Sequence, residues 1–356
     1  MKFADVLEIK NGRNQKQVEN PNGQYPIYGS GGIMGWADAY ICERDTVVIG
    51  RKGTINNPIY VDRPFWNVDT AFGLAAKREI LLPKYLYYFC CYFNFESLNT
   101  TVTIPSLTKA NLLNIEIDIP SMDDQTIIVD RLDRVSKLIS LRKEQIAKLD
   151  QLVKSRFIEL FGNPVYNSEG MPTKKLSELG SLDRGRSQHR PRNDPKLLGG
   201  PYPLIQTGEV ASAGLYITDY KNTYSELGLR QSKKWKAGTL CITIAANIAQ
   251  TAILTFDACF PDSVVGFVPN KSISAVYMHY WFGFFQKILE EQAPQVAQKN
   301  INLKILSELD VMVPPIELQD EFIAFVEQID KSKFDNTLCE VNIIGGTAWK
   351  PNHNSN

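Results

Sequence analysis

The sequence has few residues of the types that bind metals or carry out catalysis. Its 356 residues include only three histidines, and none is spaced from another as metal ligands usually are. Its six cysteines include no Cys-x-x-Cys pair, which argues against a zinc site and against a disulfide framework. We therefore expect no bound metal, and cysteines that stay reduced as in the cytoplasm.

Sequence motifs for catalysis and for membrane insertion are missing too. There is no Walker lysine and no Gly-x-Ser-x-Gly segment, and Met34 stands where a Gly-x-Gly-x-x-Gly motif needs its last glycine. Pro261-Asp262 lacks the following acid-x-Lys of a nuclease, and no Asn-Pro-Pro-aromatic sequence of an amino-methyltransferase occurs. Neither a run of about 18 apolar residues nor an apolar N-terminal signal is present. These absences favour a cytoplasmic binding protein without membrane span, catalytic activity or bound cofactor.

Charge is balanced over the whole chain but not along it. With 39 basic and 39 acidic residues the formal net charge is zero, so no global field attracts nucleic acid. Basic residues nevertheless concentrate between residues 184 and 196, where Asp194 is the only acid. The stretch 227–256 contains four cations and no acid. Each cluster fits either a solvated loop or a local nucleic-acid contact.

The same pattern of residues occurs twice. Residues 3–15 and 176–188 share their apolar positions, and both end in Gly-Arg-polar-Gln. Later in each copy come a Tyr-Pro segment (residues 25–26 and 202–203) and an apolar run that ends in proline (Pro120 and Pro314). A repeat this long is a duplicated domain rather than a solenoid unit. Two similar domains suggest two similar ligand surfaces.

A long amphipathic helix is predicted between the copies. Glycine and proline are absent from residues 121–161. Eight of ten positions that alternate steps of four and three are apolar: Ile128, Leu132, Val135, Ile139, Arg142, Ile146, Leu149, Val153, Arg156 and Leu160. A helix over residues 123–161 measures roughly 58 Å, and its narrow apolar seam needs a partner helix.

These observations predict six segments. They are a first domain (1–122), the central helix (123–162), a linker (163–174), a second domain (175–316), the start of a second helix (317–334) and an atypical tail (335–356). We expect the helical pattern to collapse near Asp335, because Gly345, Gly346 and Pro351 do not suit a helix interior. Within the first domain we expect strands at 46–49, 59–61 and 115–119, and a helix at 83–95 whose aromatic residues lie mainly in the core.

This arrangement resembles the specificity subunit of type I restriction-modification systems. The most specific elements are the Gly-Arg opening, the Tyr-Pro segment, the Ile-Pro or Val-Pro-Pro run before a helix, and LDQLVKSRFIELFGNP at residues 149–164. The resemblance implies an α+β fold with two tandem, β-rich target-recognition domains, each followed by a helix, the central one long and coiled-coil-like. Each domain is then expected to read one half of a bipartite sequence in double-stranded DNA.

The resemblance also implies partners and a missing part. The central helix is expected to set the spacing of the half-sites and to dock two methyltransferase subunits, and a motor-endonuclease subunit completes the complex. S-adenosylmethionine, ATP and Mg²⁺ are expected on those partners. A full-length member has a second long helix antiparallel to the first. Without it part of the seam is exposed, so we expect self-association through the central helix.

Candidate DNA-binding residues lie in the loops of both copies. Arginine suits guanine, and asparagine or glutamine suits adenine, because each offers a two-pronged hydrogen-bonding edge. In the first copy the candidates are Arg13, Lys16, Gly31, Arg51, Lys52, Thr54, Asn56, Ser106 and Lys109. In the second copy they are Arg184, Arg186, Gln188, His189, Arg190, Arg192, Thr207, Asn247, Gln250, Gln298, Lys299 and Asn300.

Two other functions remain open at this point. One is a non-enzymatic adaptor that binds protein or carbohydrate through two β-rich modules on a coiled-coil helix. The other is a stand-alone methylase or nuclease. Salt-dependent retention of duplex DNA distinguishes the DNA-binding function from the adaptor, and activity without added subunits distinguishes the enzyme.

Overall fold

The computed structural model describes residues 1–98, 106–245, 248–285 and 301–346, with side chains described as far as residue 333. It divides into two compact units, Met1–Leu141 and Arg142–Asn356. None of the helices in the described part is both long enough and apolar enough to cross a membrane.

The described residues of the first unit form short strands and helices. In chain order they are α1 (Phe3–Val6), β1 (Leu7–Asn11), β2 (Tyr25–Gly29), β3 (Gly32–Ala37), β4 (Thr46–Gly50), β5 (Ile59–Val61), β6 (Trp66–Asn67), β7 (Ala71–Ala76), α2 (Pro83–Tyr92), α3 (Lys109–Leu113) and the start of α4 (Met122–Phe161). The strands form an antiparallel sheet in the order β1-β7-β4-β5 and a small sheet in the order β3-β2-β6. In the small sheet β2 pairs with β6 in parallel.

The core of the first unit lies between the larger sheet and helix α2. Strand β4 is buried along its whole length, as its unbroken apolar run requires. The aromatic residues of α2 mostly face this core: Tyr85 is buried, and Tyr87, Phe89 and Phe93 pack against it. Tyr92 is exposed. The prediction of core packing for this cluster is therefore confirmed for most of its members.

The second unit repeats this plan with insertions. After the end of α4 come β8 (Thr173–Lys175), β9 (Gly180–Arg184), β10 (Leu198–Leu204), α5 (Thr207–Ser212), β11 (Tyr216–Ile217), β12 (Asn222–Tyr224), α6 (Glu226–Arg230), β13 (Lys234–Trp235), β14 (Leu240–Thr243), β15 (Thr251–Leu254), β16 (Ala258–Cys259), β17 (Val264–Pro269), α7 (Ala275–Phe282), α8 (Leu303–Ser307), β18 (Asp310–Met312) and α9 (Ile316–Gly346).

Strand order shows that the two units are copies of one fold. The larger sheet of the second unit runs β11-β15-β14-β17-β9, which matches β5-β4-β7-β1 of the first unit with one strand added. The smaller sheet again contains a parallel pair, β10 with β16. The predicted α+β architecture of two similar β-rich domains with a long central helix is confirmed.

Two local predictions were wrong. Residues 115–119 form no strand, because only Glu116 is bridged, to Lys2. The equivalent segment of the second unit is the short strand β18, paired with β8. The helical pattern also does not collapse near Asp335, since α9 continues to Gly346. Gly345 and Gly346 come at the end of that helix, where glycine is favoured, rather than in its interior.

Helix α9 packs against the second half of α4 within the second unit. Phe322 of α9 is buried, with its ring centroid 5.5 Å from those of Phe157 and Phe161 of α4. The Lys333 ammonium group lies 2.8 Å from the Asp150 carboxylate. The seam is thus buried at its C-terminal end around Val153 and half-buried at Val135 and Ile139, whereas Leu138 and Leu141, which lie beside the seam on α4, are exposed. The predicted domain boundaries remain a proposal.

A buried glutamine attaches each long helix to its domain. Gln125 of α4 is completely buried; its Oε1 accepts a hydrogen bond from the Leu82 backbone amide at 2.9 Å, and its Nε2 donates to the carbonyls of Ile80 (2.9 Å) and Pro120 (3.0 Å). The whole side-chain amide is therefore used to join the loop before α2 to the start of α4.

The second copy repeats this arrangement atom for atom. Gln319 of α9 is also completely buried, and its Oε1 accepts from the Ser274 amide at 2.9 Å. Its Nε2 donates to the carbonyls of Ser272 (3.1 Å) and Pro314 (2.9 Å). Because polar groups in a protein interior need partners, the glutamine and the three backbone groups stabilise one another.

We predict that Gln125→Ala lowers the free energy of unfolding by about 3 kcal/mol, since each buried group left without a partner costs about 1–3 kcal/mol. Urea denaturation measures the change, and Gln319→Ala is expected to behave alike. The matched control is Gln151→Ala, which makes the same substitution at an exposed position of α4. A loss no larger than that of Gln151→Ala would contradict the role of the glutamine.

Candidate nucleic-acid interface

The predicted DNA-binding residues of the first unit lie where strand ends of its larger sheet meet the loops. We call this surface the first edge. Because β1, β7 and β4 are antiparallel neighbours, the ends of β1 and β4 and the start of β7 meet there. Backbone hydrogen bonds join the loops: Arg13 N donates to the Asn67 carbonyl at 3.0 Å, and Arg51 N donates to the Thr70 carbonyl at 2.8 Å. Residues that are far apart in sequence thus form one surface.

A polar cleft opens at this edge. It has a volume of about 480 Å³ and is lined by Arg13, Asn14, Lys16, Gln17 and Trp66. The Trp66 indole N–H donates to the Arg13 carbonyl at 3.0 Å, which holds the loop after β1 against the small sheet. Arg13 and Lys16 were predicted site residues, whereas Asn14, Gln17 and Trp66 were missed. Asn14 and Gln17 could have been predicted, because they lie in the same loop as Arg13 and Lys16. Nothing in the sequence around Trp66 indicates its role.

The turn after β4 supplies a second group of cations. Gly50 permits a close approach there, because a Cβ on it would lie 2.0 Å from the Thr54 carbonyl oxygen. The Arg51 carbonyl accepts from the Leu107 amide at 2.9 Å, and Lys52 is bridged to Ser106. The structure thus brings together the predicted residues Arg51, Lys52, Thr54 and Ser106.

The cations of this edge are available to a ligand. In the described part of the chain, Arg13, Lys16, Arg51 and Lys52 form no salt bridge with a carboxylate, and all four are exposed. The Arg51 guanidinium lies 5.7 Å from the Phe72 ring centroid, which orients it without neutralising it. Charges in this state can bind phosphate groups.

Two predicted residues of the first unit have internal partners instead. The Lys109 ammonium donates to the Ile9 carbonyl at 2.9 Å and is thereby tied to β1. Asn56 Oδ1 accepts from the Phe95 amide at 2.7 Å, and its Nδ2 donates to Asn94. Both side chains hold the domain together, so their proposed part in DNA binding rests on position alone. Gly31, at the tip of the β2–β3 hairpin, has open space around it.

The equivalent edge of the second unit carries the longer basic loop. Here the ends of β9 and β14 meet the start of β17. Gly185 N donates to the Val264 carbonyl at 2.8 Å, and Arg186 N donates to the Phe260 carbonyl at 3.1 Å. The Gln188 and His189 amides both donate to Gln231 Oε1, at 2.7 and 3.0 Å. Gln231 was missed because its partners are more than 40 residues away in sequence.

Carboxylates hold the cations of this second loop. Asp262 pairs with Arg192 and lies 3.6 Å from Arg190. This carboxylate follows Pro261 and is distant from both arginines in the sequence. The His189 ring lies 3.0 Å from Asp194. Two hydrogen bonds lower the pKa of the Asp194 carboxyl: the larger effect comes from the Lys196 backbone amide, and the next from the His189 side chain. The second interface is therefore more nearly neutral than the first.

The remaining predicted residues are distributed around this edge. Arg184 is exposed at the end of β9, and Gln250 is exposed in the turn before β15. Thr207 is the first residue of α5, directly after the loop that follows β10. Asn247, Gln298, Lys299 and Asn300 lie outside the described residues.

The possible metal ligands of the described part are dispersed. They include no group of three or more metal-ligating side chains suited to a cation. Burial raises the pKa of the Cys42 thiol to about 12 and also raises that of Cys241, so both are protonated near neutral pH. What the two edges offer is cations, amides and backbone N–H groups.

Comparisons with known proteins agree with these observations. A family model described as the type I restriction modification DNA specificity domain matches residues 1–151 and 168–340. A putative type I restriction enzyme specificity subunit from Haemophilus influenzae is 23% identical, over 87% of this chain and 81% of that protein. The EcoDI specificity subunit from Escherichia coli is 20% identical, over 96% and 84% respectively. The solved S subunit from M. genitalium shares the fold, with a TM-score of 0.60 and 16% identity over 97% of this chain and 92% of that one.

We predict that Asp262→Asn strengthens non-specific binding to duplex DNA. Removing the carboxylate releases Arg190 and Arg192 for phosphate contacts, and each new contact steepens the slope of log affinity against log salt by about 0.9. Fluorescence anisotropy over a salt series measures the slope. The control is Asp62→Asn, which removes the same charge from an exposed pair with Arg63. Equal slopes for the two variants would contradict the prediction.

Proposed function

Because this chain belongs to the family of type I restriction modification DNA specificity domains, we propose that it selects the DNA sequence on which such a system acts. The observation that carries the proposal is the repeated edge: two copies of one fold each present loop-borne cations at the same strand ends. Phosphate contacts position a protein on DNA, and contacts to base edges read the sequence. Each copy then reads one half of a bipartite target.

Helix α4 is proposed to set the spacing of the two half-sites. Its 40 residues make a rod of about 60 Å. A pair of readers gains specificity from both half-sites while the base pairs between them stay unread. The same helix is proposed as the docking site of the methyltransferase subunits, and the motor-endonuclease subunit joins that complex. In this proposal the chain itself is non-catalytic and cytoplasmic, and the partners carry S-adenosylmethionine, ATP and Mg²⁺.

The alternative of a protein- or carbohydrate-binding adaptor is not favoured. The matched family is a DNA specificity domain, and its model covers both copies of the fold. The cations of the first edge, which pair with no carboxylate of the described chain, also suit a polyanion.

The test is to co-express the chain with its methyltransferase subunit and map methylated adenines across a genome. We predict a bipartite motif. Arg13→Ala and Arg51→Ala are expected to relax or change one half of it, and Arg186→Ala and Arg190→Ala the other half. A lost base contact shifts preference at one position by about 1–3 kcal/mol. Arg63→Ala, an exposed arginine whose side chain pairs with Asp62, is the control. Methylation without a bipartite motif would contradict the proposal.

Self-association through α4 is a further part of the proposal. Ile127, Leu138 and Leu141 are exposed on the first half of this helix, at 49%, 48% and 51%. Exposed apolar stripes are sites of association. We predict that the isolated chain dimerises at micromolar concentration in analytical ultracentrifugation, and that Leu138→Gln with Leu141→Gln weakens the dimer. A strict monomer would exclude this part while leaving DNA selection untouched.

A further inference from the structure

The β2–β3 hairpin of the first unit presents large apolar side chains to solvent. Ile33 is 57% exposed and Met34 is 63% exposed, next to the two-residue turn Ser30-Gly31. They lie on β3, an edge strand of the small sheet. Exposed apolar side chains on an edge strand promote aggregation, so proteins usually avoid them. Their presence calls for a ligand that covers them.

A β-bulge accompanies this exposure. Ile27 pairs with Gly35 and Tyr28 pairs with Ile33, so Met34 is an extra residue on β3. In a regular strand, neighbouring side chains point to opposite faces, and one of these two would face inward. A bulge changes the direction of a side chain, and bulges are common beside functional sites. Here it leaves both side chains outside the core.

The hairpin tip lies within the proposed DNA-binding edge. A Cβ on Gly50 would lie 2.9 Å from Ser30 Cβ, so the tip sits against the turn that carries Arg51. The Tyr28 carbonyl accepts from the Val68 amide at 3.0 Å, and this places the hairpin beside the loop that holds Arg13. Cations of the first edge thus flank the apolar tip.

This combination of charge and shape points to duplex DNA. A two-stranded ribbon is narrow enough to enter the major groove, where the C5-methyl group of thymine is the only apolar feature that distinguishes bases. Gly31 and Gly32 add no side chain to the tip, and Gly32 has a φ of +122°, a conformation that favours glycine. The flanking cations match the phosphates on both sides of a groove.

The described part of the second unit has no such apolar hairpin after β10. The loop after β10 leads into helix α5, whose Val210 is buried in the core. Any contact made by the hairpin therefore belongs to the half-site of the first unit alone.

We propose that Ile33 and Met34 read thymine by packing against its C5-methyl group in the major groove of the first half-site. This proposal rests on the proposed function, because it names the chemistry by which one copy recognises its half-site. The hairpin sets specificity at A·T pairs, and the cations beside it supply affinity that does not depend on sequence.

The test uses the complex of the chain with its methyltransferase subunit and duplexes carrying the mapped target. Thymines of each half-site are replaced in turn by deoxyuridine, which lacks only the methyl group. We expect the unmodified protein to lose about four-fold in affinity for each contacted methyl group, in one half-site only. Ile33→Ser and Met34→Ser are expected to weaken binding to thymine duplexes and to remove this sensitivity. Ile305→Ser, at an exposed position of α8 in the second unit, is the control and should keep the sensitivity.

Three results would overturn the proposal. They are an unmodified protein insensitive to deoxyuridine in both half-sites, hairpin variants that remain as sensitive as the unmodified protein, and hairpin variants that fail to assemble with the methyltransferase subunit. The last result would assign the hairpin to a protein contact. Failure of the proposed function is distinguishable, because no bipartite methylation motif would be found at all.

Discussion

Each copy of the fold depends on one buried glutamine side chain. Gln125 and Gln319 each bind one backbone N–H and two backbone carbonyls, and these groups come from two separate segments. A carboxylate could not donate, and a shorter amide would not span the same distance. The hydrogen bonds therefore demand glutamine, and through it they fix the start of each long helix to the segment before α2 or α7. A reading surface and a helix can act together only if such a joint is rigid.

Around this common joint the two copies have diverged at their loops. Both keep the strand order and the parallel pair of the small sheet. Among the residues that the structure describes, the first edge has cations that form no salt bridge, a cleft and an apolar hairpin, whereas the second has arginines held by Asp262. Loops carry recognition on a conserved scaffold because they can change without loss of the core. Two different edges on one fold suit the reading of two different half-sites.

Patterns local in sequence predicted most of the scaffold. The heptad spacing predicted α4, since apolar residues every three or four positions can share a face only on a helix. Short runs of apolar residues likewise predicted the strands β4 and β5. Sequence patterns led to wrong predictions where the local structure depends on a partner that is distant in sequence. Residues 115–119 had the composition of a strand, but only one residue finds a bridge. The glycines near the end of α9 looked like breakers because the position of the helix end was unknown.

Repeats and periodicity along the chain are sufficient to predict the duplication, the two β-rich domains and the long helix, because both patterns are formed by neighbouring residues. The sequence also indicated which loops carry the cations. Which of those cations are available depends on the folded arrangement of the chain: Lys109 bonds to β1, Asp262 holds Arg190 and Arg192, and Arg13 and Arg51 form no salt bridge in the described part of the chain. Sequence patterns do not show this, because a charge is neutralised by groups close in space, and those partners come from strands and loops distant in sequence.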